Sequence, residues 1–220
     1  MGIRSALVFF AIGASIFFST APCRAQTAAP ERDSTWGDVT TVTATAALSL
    51  EVLMPRVFYS DPEATVGWKA RWHVSALAPV MTLVGITTLN ELVLKDAFEG
   101  YRPGCDETNQ GGPNCETFGM MSSHSIAGMG ALGHGVAVFI FDTTKWSDGR
   151  FSAGSFVGHV GVPLVLGTLT LVGRGVGDYE STGQILAGGG TGLVSGFLLG
   201  MTYSLMARPE CGYTGALICW

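Results

Sequence analysis

Charge is what this chain has least of. Only 13% of its 220 residues are Asp, Glu, Lys or Arg, against about 25% in an average soluble domain. No basic run exists, and the net charge is -5, so nucleic acid is excluded as a natural partner. No Asp or Glu cluster has the spacing of a calcium loop. Asp106, Glu107 and Glu116 therefore read as a solvated loop and not as a metal site. Histidine is scarce too, with four in the chain, which limits where acid, base or nucleophilic chemistry can sit.

What is abundant is apolar and small. The chain is 47% hydrophobic, contains 31 glycines and has a mean hydropathy of +0.37. Glycine at that level suits closely packed membrane helices. Residues 1–25 carry an export signature: Arg4, the apolar run Ala6 to Phe18, then Cys23-Arg24-Ala25 with small residues at the cleavage positions. A cleaved signal and an uncleaved first membrane helix both fit it. Residues 26–36 form a polar linker. Five apolar stretches follow, at 37–54, 72–94, 124–142, 155–173 and 183–206. Each is about the length needed to cross a hydrocarbon core of roughly 30 Å. The expected fold is all-α: a six-helix transmembrane bundle, five if the signal is cleaved. A compact soluble helical bundle is the alternative. Residues 209–220 form a C-terminal tail.

The cations order the topology. Arg4, Arg56, Lys69, Arg71, Lys145, Arg150 and Arg208 all fall on one side of such a bundle, which the positive-inside rule makes cytoplasmic. The loop after Lys95 and the turn at Arg174 then face outward, toward a bacterial-type periplasm. Cys105 and Cys115 flank a polar loop on that oxidising side, so a disulfide is expected there, with free thiols as the alternative. Cys211 and Cys219 fall on the reducing side, which argues against a second bridge.

One ordered set of polar residues stands out on the outward side. Lys95 is followed by Arg102-Pro103 in the pattern K-x6-R-P. Next come Ser122-Ser123-His124, and then Arg174 after two apolar runs. Glu91 lies one helical turn before Lys95 and can pair with it. Ser122 or Ser123 can cap the helix that starts there.

This pattern resembles the phosphatidic acid phosphatase type 2/haloperoxidase superfamily over roughly residues 37–206, with 37–208 as the corresponding domain. Its members carry K-x6-R-P, then P-S-G-H, then S-R-x5-H-x3-D. Lys95, Arg102 and Pro103 match the first motif in full. Ser122 and His124 match the second, with Met121 for the proline and Ser123 for the glycine. Only Arg174 matches the third, where Glu180 stands for the nucleophilic His and Gln184 for its Asp partner. The resemblance implies that Lys95, Arg102, Ser122, Ser123 and Arg174 bind phosphate and that His124 serves as general acid. The catalytic positions are then His124, Glu180 and Gln184. A carboxylate is a weak nucleophile toward a phosphate dianion, so Glu180 is expected to stay ionised among the cations as an internal substitute for phosphate. Gln184 is expected to hydrogen-bond that carboxylate. His73, His134 and His159 do not replace the missing nucleophile. No metal or other cofactor is implied. The implied partner is a lipid phosphate or another phosphorylated small molecule, met at the membrane by a hydrolase or by an inactive binding relative.

Overall fold

The computed structural model describes residues 32–59, 67–112, 114–206 and the backbone of 218–219. The expected signal segment 1–25 and the Cys211–Cys219 pair lie outside the described residues. Five helices make up most of the fold: α1 (Ser34–Leu53), α2 (Val74–Phe98), α3 (Ser123–Trp146), α4 (Ala153–Val176) and α5 (Thr182–Met206). The last four are long and apolar enough to cross a membrane. The first, rich in threonine, does not reach that hydropathy. Its start also falls inside the expected linker: Asp33 accepts a hydrogen bond from the Thr35 amide at 2.9 Å and caps the helix.

The all-α expectation needs one correction. Arg56–Tyr59 (β1) and Trp68–His73 (β2) pair antiparallel, and Ile218–Cys219 (β3) adds to β2 in parallel. Residues 55–71 fall between two apolar stretches, where no regular element is expected. Val57, Phe58 and Tyr59 instead pair with Ala70, Lys69 and Trp68, which satisfies the backbone as a hairpin. The sheet closes the end of the bundle where α1 stops and α2 begins.

α3 is the central helix. Of its most apolar stretch 72% is buried, against 22% for α2. It packs on all four other helices. Its closest neighbour is α5, and the reason is a glycine stripe at Gly188, Gly192, Gly196 and Gly200. A Cβ at Gly188 would sit 2.5 Å from the Ser122 carbonyl oxygen, and one at Gly200 2.7 Å from that of His134. Spacing of four places all of them on one helical face, so the two backbones can touch. By contrast α1 and α2 barely meet. Between them runs a groove of about 790 Å³, floored by Ala127 and walled by Ala44, Leu48, Val80 and Val84.

Three helices contain a π-helical turn: Asn90–Leu94 in α2, Asp142–Trp146 in α3 and Val157–Gly161 in α4. The last precedes Pro163, whose missing N–H disrupts a regular helix. Each turn carries a buried polar residue: Asn90, Asp142 or His159. Widened turns of this kind commonly accompany functional groups.

Candidate functional site: an anion site at one end of the bundle

Because the helices alternate in direction, the N-termini of α1, α3 and α5 meet the C-termini of α2 and α4. Every residue of the outward set falls at this end. Ser122 caps α3: its Oγ accepts from the Ser125 amide at 3.2 Å. Its own amide donates to the Gln184 carbonyl at 3.0 Å, which locks the start of α3 to α5. Lys95 is 2% exposed and donates from Nζ to Glu91 Oε2 at 2.6 Å. The same carboxylate oxygen accepts from Ser123 Oγ at 2.6 Å, and Asn90 Nδ2 donates to Ser123 Oγ at 2.8 Å.

Arg102 lies in the loop between α2 and α3. That loop is closed by the disulfide Cys105–Cys115. Arg102 donates from Nε to the Thr117 carbonyl at 3.0 Å and from a terminal nitrogen to Thr117 Oγ1 at 2.8 Å. Its pKa is lowered, first by burial and then by the like charge of Arg174, against the raising influence of Glu180. Arg174, at the end of α4, donates to both oxygens of Glu180, each at 2.9 Å. This is the bidentate geometry a guanidinium offers a carboxylate or a phosphate. Its guanidinium also lies 4.5 Å from the centre of the Tyr179 ring. Burial pushes the Glu180 carboxyl up, but its hydrogen bonds and charge attraction to Arg174, helped by Ser122 and Lys95, hold it below the ordinary carboxylate value.

His124 is in electrostatic reach of Arg174, Glu180, Lys95 and Glu91. Its Nε2 lies 3.2 Å from Thr41 Oγ1 on α1. The structure thus brings Lys95, Arg102, Ser122, Ser123, His124, Arg174 and Glu180 to one end of the bundle. Gln184 comes with them but does not take the expected partner. Its Oε1 accepts from the Ser181 amide at 2.8 Å, Ser181 Oγ accepts from the Gln184 amide at 3.3 Å, and Nε2 donates to the Tyr101 carbonyl at 2.9 Å. Ser181-x-x-Gln184 is a capping box for α5, so Gln184 is spent on the helix start and not on Glu180.

Met121 also departs from the motif. Its φ is 27°, which the ring of a proline at that position would forbid. A non-glycine residue there is strained, and its carbonyl is held by Asn90 Nδ2 at 2.9 Å.

Three contributors carried no expectation from the sequence, and a fourth, Glu91, does more than the pairing with Lys95 expected of it. Asn90 and Thr117 carried no motif signal. Arg32 fell inside the expected linker, yet its pKa is lowered first by burial and then by the nearby charges of Arg102 and Arg174. Glu91 was read as a helical partner of Lys95, not as the carboxylate that also joins Ser123. No family model, curated protein or solved structure matches this chain.

Proposed function

We propose that this chain binds the phosphate headgroup of a membrane lipid at its outward end and does not hydrolyse it. The observation that carries the reading is the bidentate Arg174–Glu180 pair, set among Lys95, Arg102 and His124. A carboxylate there has the charge sign and the two-oxygen geometry of the ligand that would replace it. The site has more positive than negative groups: Lys95, Arg102, Arg174 and Arg32 against Glu91 and Glu180. A phosphate inside the site therefore meets a surplus of positive groups, although Asp33, Asp96, Glu99 and Asp178 stand at the same ends of α1, α2 and α4.

The apolar groove between α1 and α2 supports a lipid as the phosphate's carrier. Glu91, Ser123 and His124 line its polar end, and Leu48, Val80 and Val84 line its length. A headgroup at His124 leaves room for a hydrocarbon chain along that wall. The absence of turnover follows from the donors. Glu180 is tied to Arg174 and Gln184 to the α5 cap, so neither of these two positions supplies a nucleophile with an orienting partner. His124 retains the position of a proton donor, and this is what a hydrolase reading would use.

The test is binding of short-chain phosphatidic acid and of orthovanadate to the full chain in detergent, with phosphate release followed in the same samples. Saturable binding that Arg174→Ala abolishes, with no phosphate released, is the expected result. Release that disappears in His124→Ala would replace the binding reading with a hydrolase. If neither the wild type nor Glu180→Ala binds either anion, the site is a structural ion-pair network only.

A further inference from the structure

The far end of the bundle holds a second polar centre that the anion site does not use. Glu51 from α1, His134 from α3 and His159 from α4 are each 2% exposed or less. His134 lies ten residues beyond His124 on α3, about 15 Å along the helix axis. Glu51 Oε2 is 2.8 Å from His134 Nδ1 and 3.4 Å from His159 Nδ1. A carboxylate oxygen only accepts, so each ring turns an N–H at Nδ1 toward it. His159 has a second acceptor: its Nε2 lies 3.3 Å from the Pro55 carbonyl oxygen. Both nitrogens of that ring face acceptors, and both need a hydrogen. An imidazole with two N–H groups is an imidazolium. His134 differs, because its Nε2 has no hydrogen-bond partner among the described residues. One hydrogen satisfies it, and the ring stacks 5.9 Å from that of Tyr203 on α5.

We propose that Glu51, His134 and His159 form an intramembrane proton-binding site, in which one proton held on His159 against Glu51 clasps α1 to α3 and α4. Ionisable groups at membrane depth are costly unless paired, and here the carboxylate and the imidazolium neutralise each other. The other charged groups facing the centre are Asp142 from α3 and Arg56 from β1. These bond to each other, with Arg56 Nε donating to Asp142 Oδ1 at 2.8 Å, so neither is left to balance Glu51. Tyr203 is the titratable group that α5 presents. Metal is a poorer occupant than a proton. Both rings direct Nδ1 at the same carboxylate oxygen, and no group of His, Cys, Asp and Glu among the described residues is arranged to hold a metal ion. Gly135 makes the approach possible: a Cβ there would lie 2.7 Å from Glu51 Oε1 and would collide with the His159 carbonyl.

The experiment is a nitrogen NMR spectrum of the full chain in detergent at neutral pH, with histidine labelled at both ring nitrogens. The double variant Glu51→Gln/His159→Gln, neutral at both positions, supplies the assignment. In the wild type His159 should carry hydrogen on both nitrogens and His134 on one. A wild-type His159 with a single N–H overturns the proposal. Unfolding midpoints give an independent reading. Glu51→Gln alone and His159→Gln alone should each lower the midpoint more than the double variant does, because each strands one buried charge. Single variants no worse than the double would also overturn it.

Discussion

The two ends of this bundle solve the same problem in opposite ways. Each places an arginine and a carboxylate out of water and joins them. At the far end Arg56 and Asp142 are sealed: Arg56 stacks 3.9 Å from the centre of the Trp146 ring and 5.3 Å from that of Tyr203, and β1, α3 and α5 close over the pair. At the other end Arg174 and Glu180 are as deeply buried, but they sit beside further cations, a histidine and a groove that opens to the side. A sealed pair can only hold helices together. A pair among surplus cations can be exchanged for another anion. The difference lies in what surrounds the pair and not in the pair itself.

The largest expected effect breaks this comparison open. Asp142→Ala leaves Arg56 buried without its partner and should cost about 3–5 kcal/mol, read as a fallen unfolding midpoint or loss of folded protein in detergent. Glu180→Ala strands Arg174 in the same way, yet phosphate should rescue it. An anion at 100 times its dissociation constant returns about 2.7 kcal/mol. Rescue of Glu180→Ala and not of Asp142→Ala distinguishes an exchangeable site from a structural one. Equal responses of the two variants to phosphate would erase the distinction.

Reduction of Cys105–Cys115 comes next. Loop closure over a segment this short is worth about 3 kcal/mol on the chain-entropy model. The loop carries Arg102 and its partner Thr117, so reduction should weaken anion binding more than it lowers the unfolding midpoint of the helices. Titrating the protein with vanadate before and after a reductant checks this.

Acid should separate the ends further. His73, at the far end, is held neutral with a pKa of about 4, first by burial and then by Arg56. A histidine lowered in this way contributes stability above its unfolded value of about 6.5, and the contribution is lost as pH falls from there toward about 4. Glu180 is lowered below the ordinary carboxylate value of about 4.3. Its contribution is intact above that value and is lost only as pH falls through the lower folded one. The far end should therefore weaken first. His73→Gln should flatten the mild-acid part of a midpoint-against-pH curve, and Glu180→Gln the strong-acid part.

How much of this was legible in the sequence depended on the kind of signal. Four apolar stretches became helices able to cross a membrane, because length and composition alone carry that information. The stretch at 37–54 became a helix as well, but two of its threonines, Thr40 and Thr43, are buried in the bundle, with Thr43 Oγ1 2.8 Å from Thr170 Oγ1, and a hydropathy sum cannot distinguish that from exposure. The hairpin at Arg56–Tyr59 and Trp68–His73 was hidden by its cations, of which Arg56 and Arg71 are buried here and not solvated. At the Arg174 end the ordered residues were readable, since each carries a strong chemical preference. Gln184 was misassigned because the family's spacing outweighed a local Ser-x-x-Gln capping signal that was equally visible. The Glu51–His134–His159 centre was not readable at all. Its members come from three helices with no motif between them, and only their packing brings them to one carboxylate.

The smallest effect concerns the one carboxylate of the outward site that water reaches. The Glu91 side chain is 42% exposed, so its pairing with Lys95 is screened and worth about 0–1 kcal/mol. Glu91→Gln should leave the unfolding midpoint nearly unchanged. The same substitution removes a negative charge from the end of the groove where the headgroup would sit, and the amide can still accept from Ser123. Lys95 then loses its ion-pair partner and is free to meet the incoming anion. Vanadate should bind several-fold more tightly, and the gain should shrink as salt is added. A weaker affinity in Glu91→Gln would mean that Glu91 positions Lys95 for the anion and does not compete with it. Glu91 would then be structural, as Asp142 is at the far end, and Glu180 alone would mark the site as exchangeable.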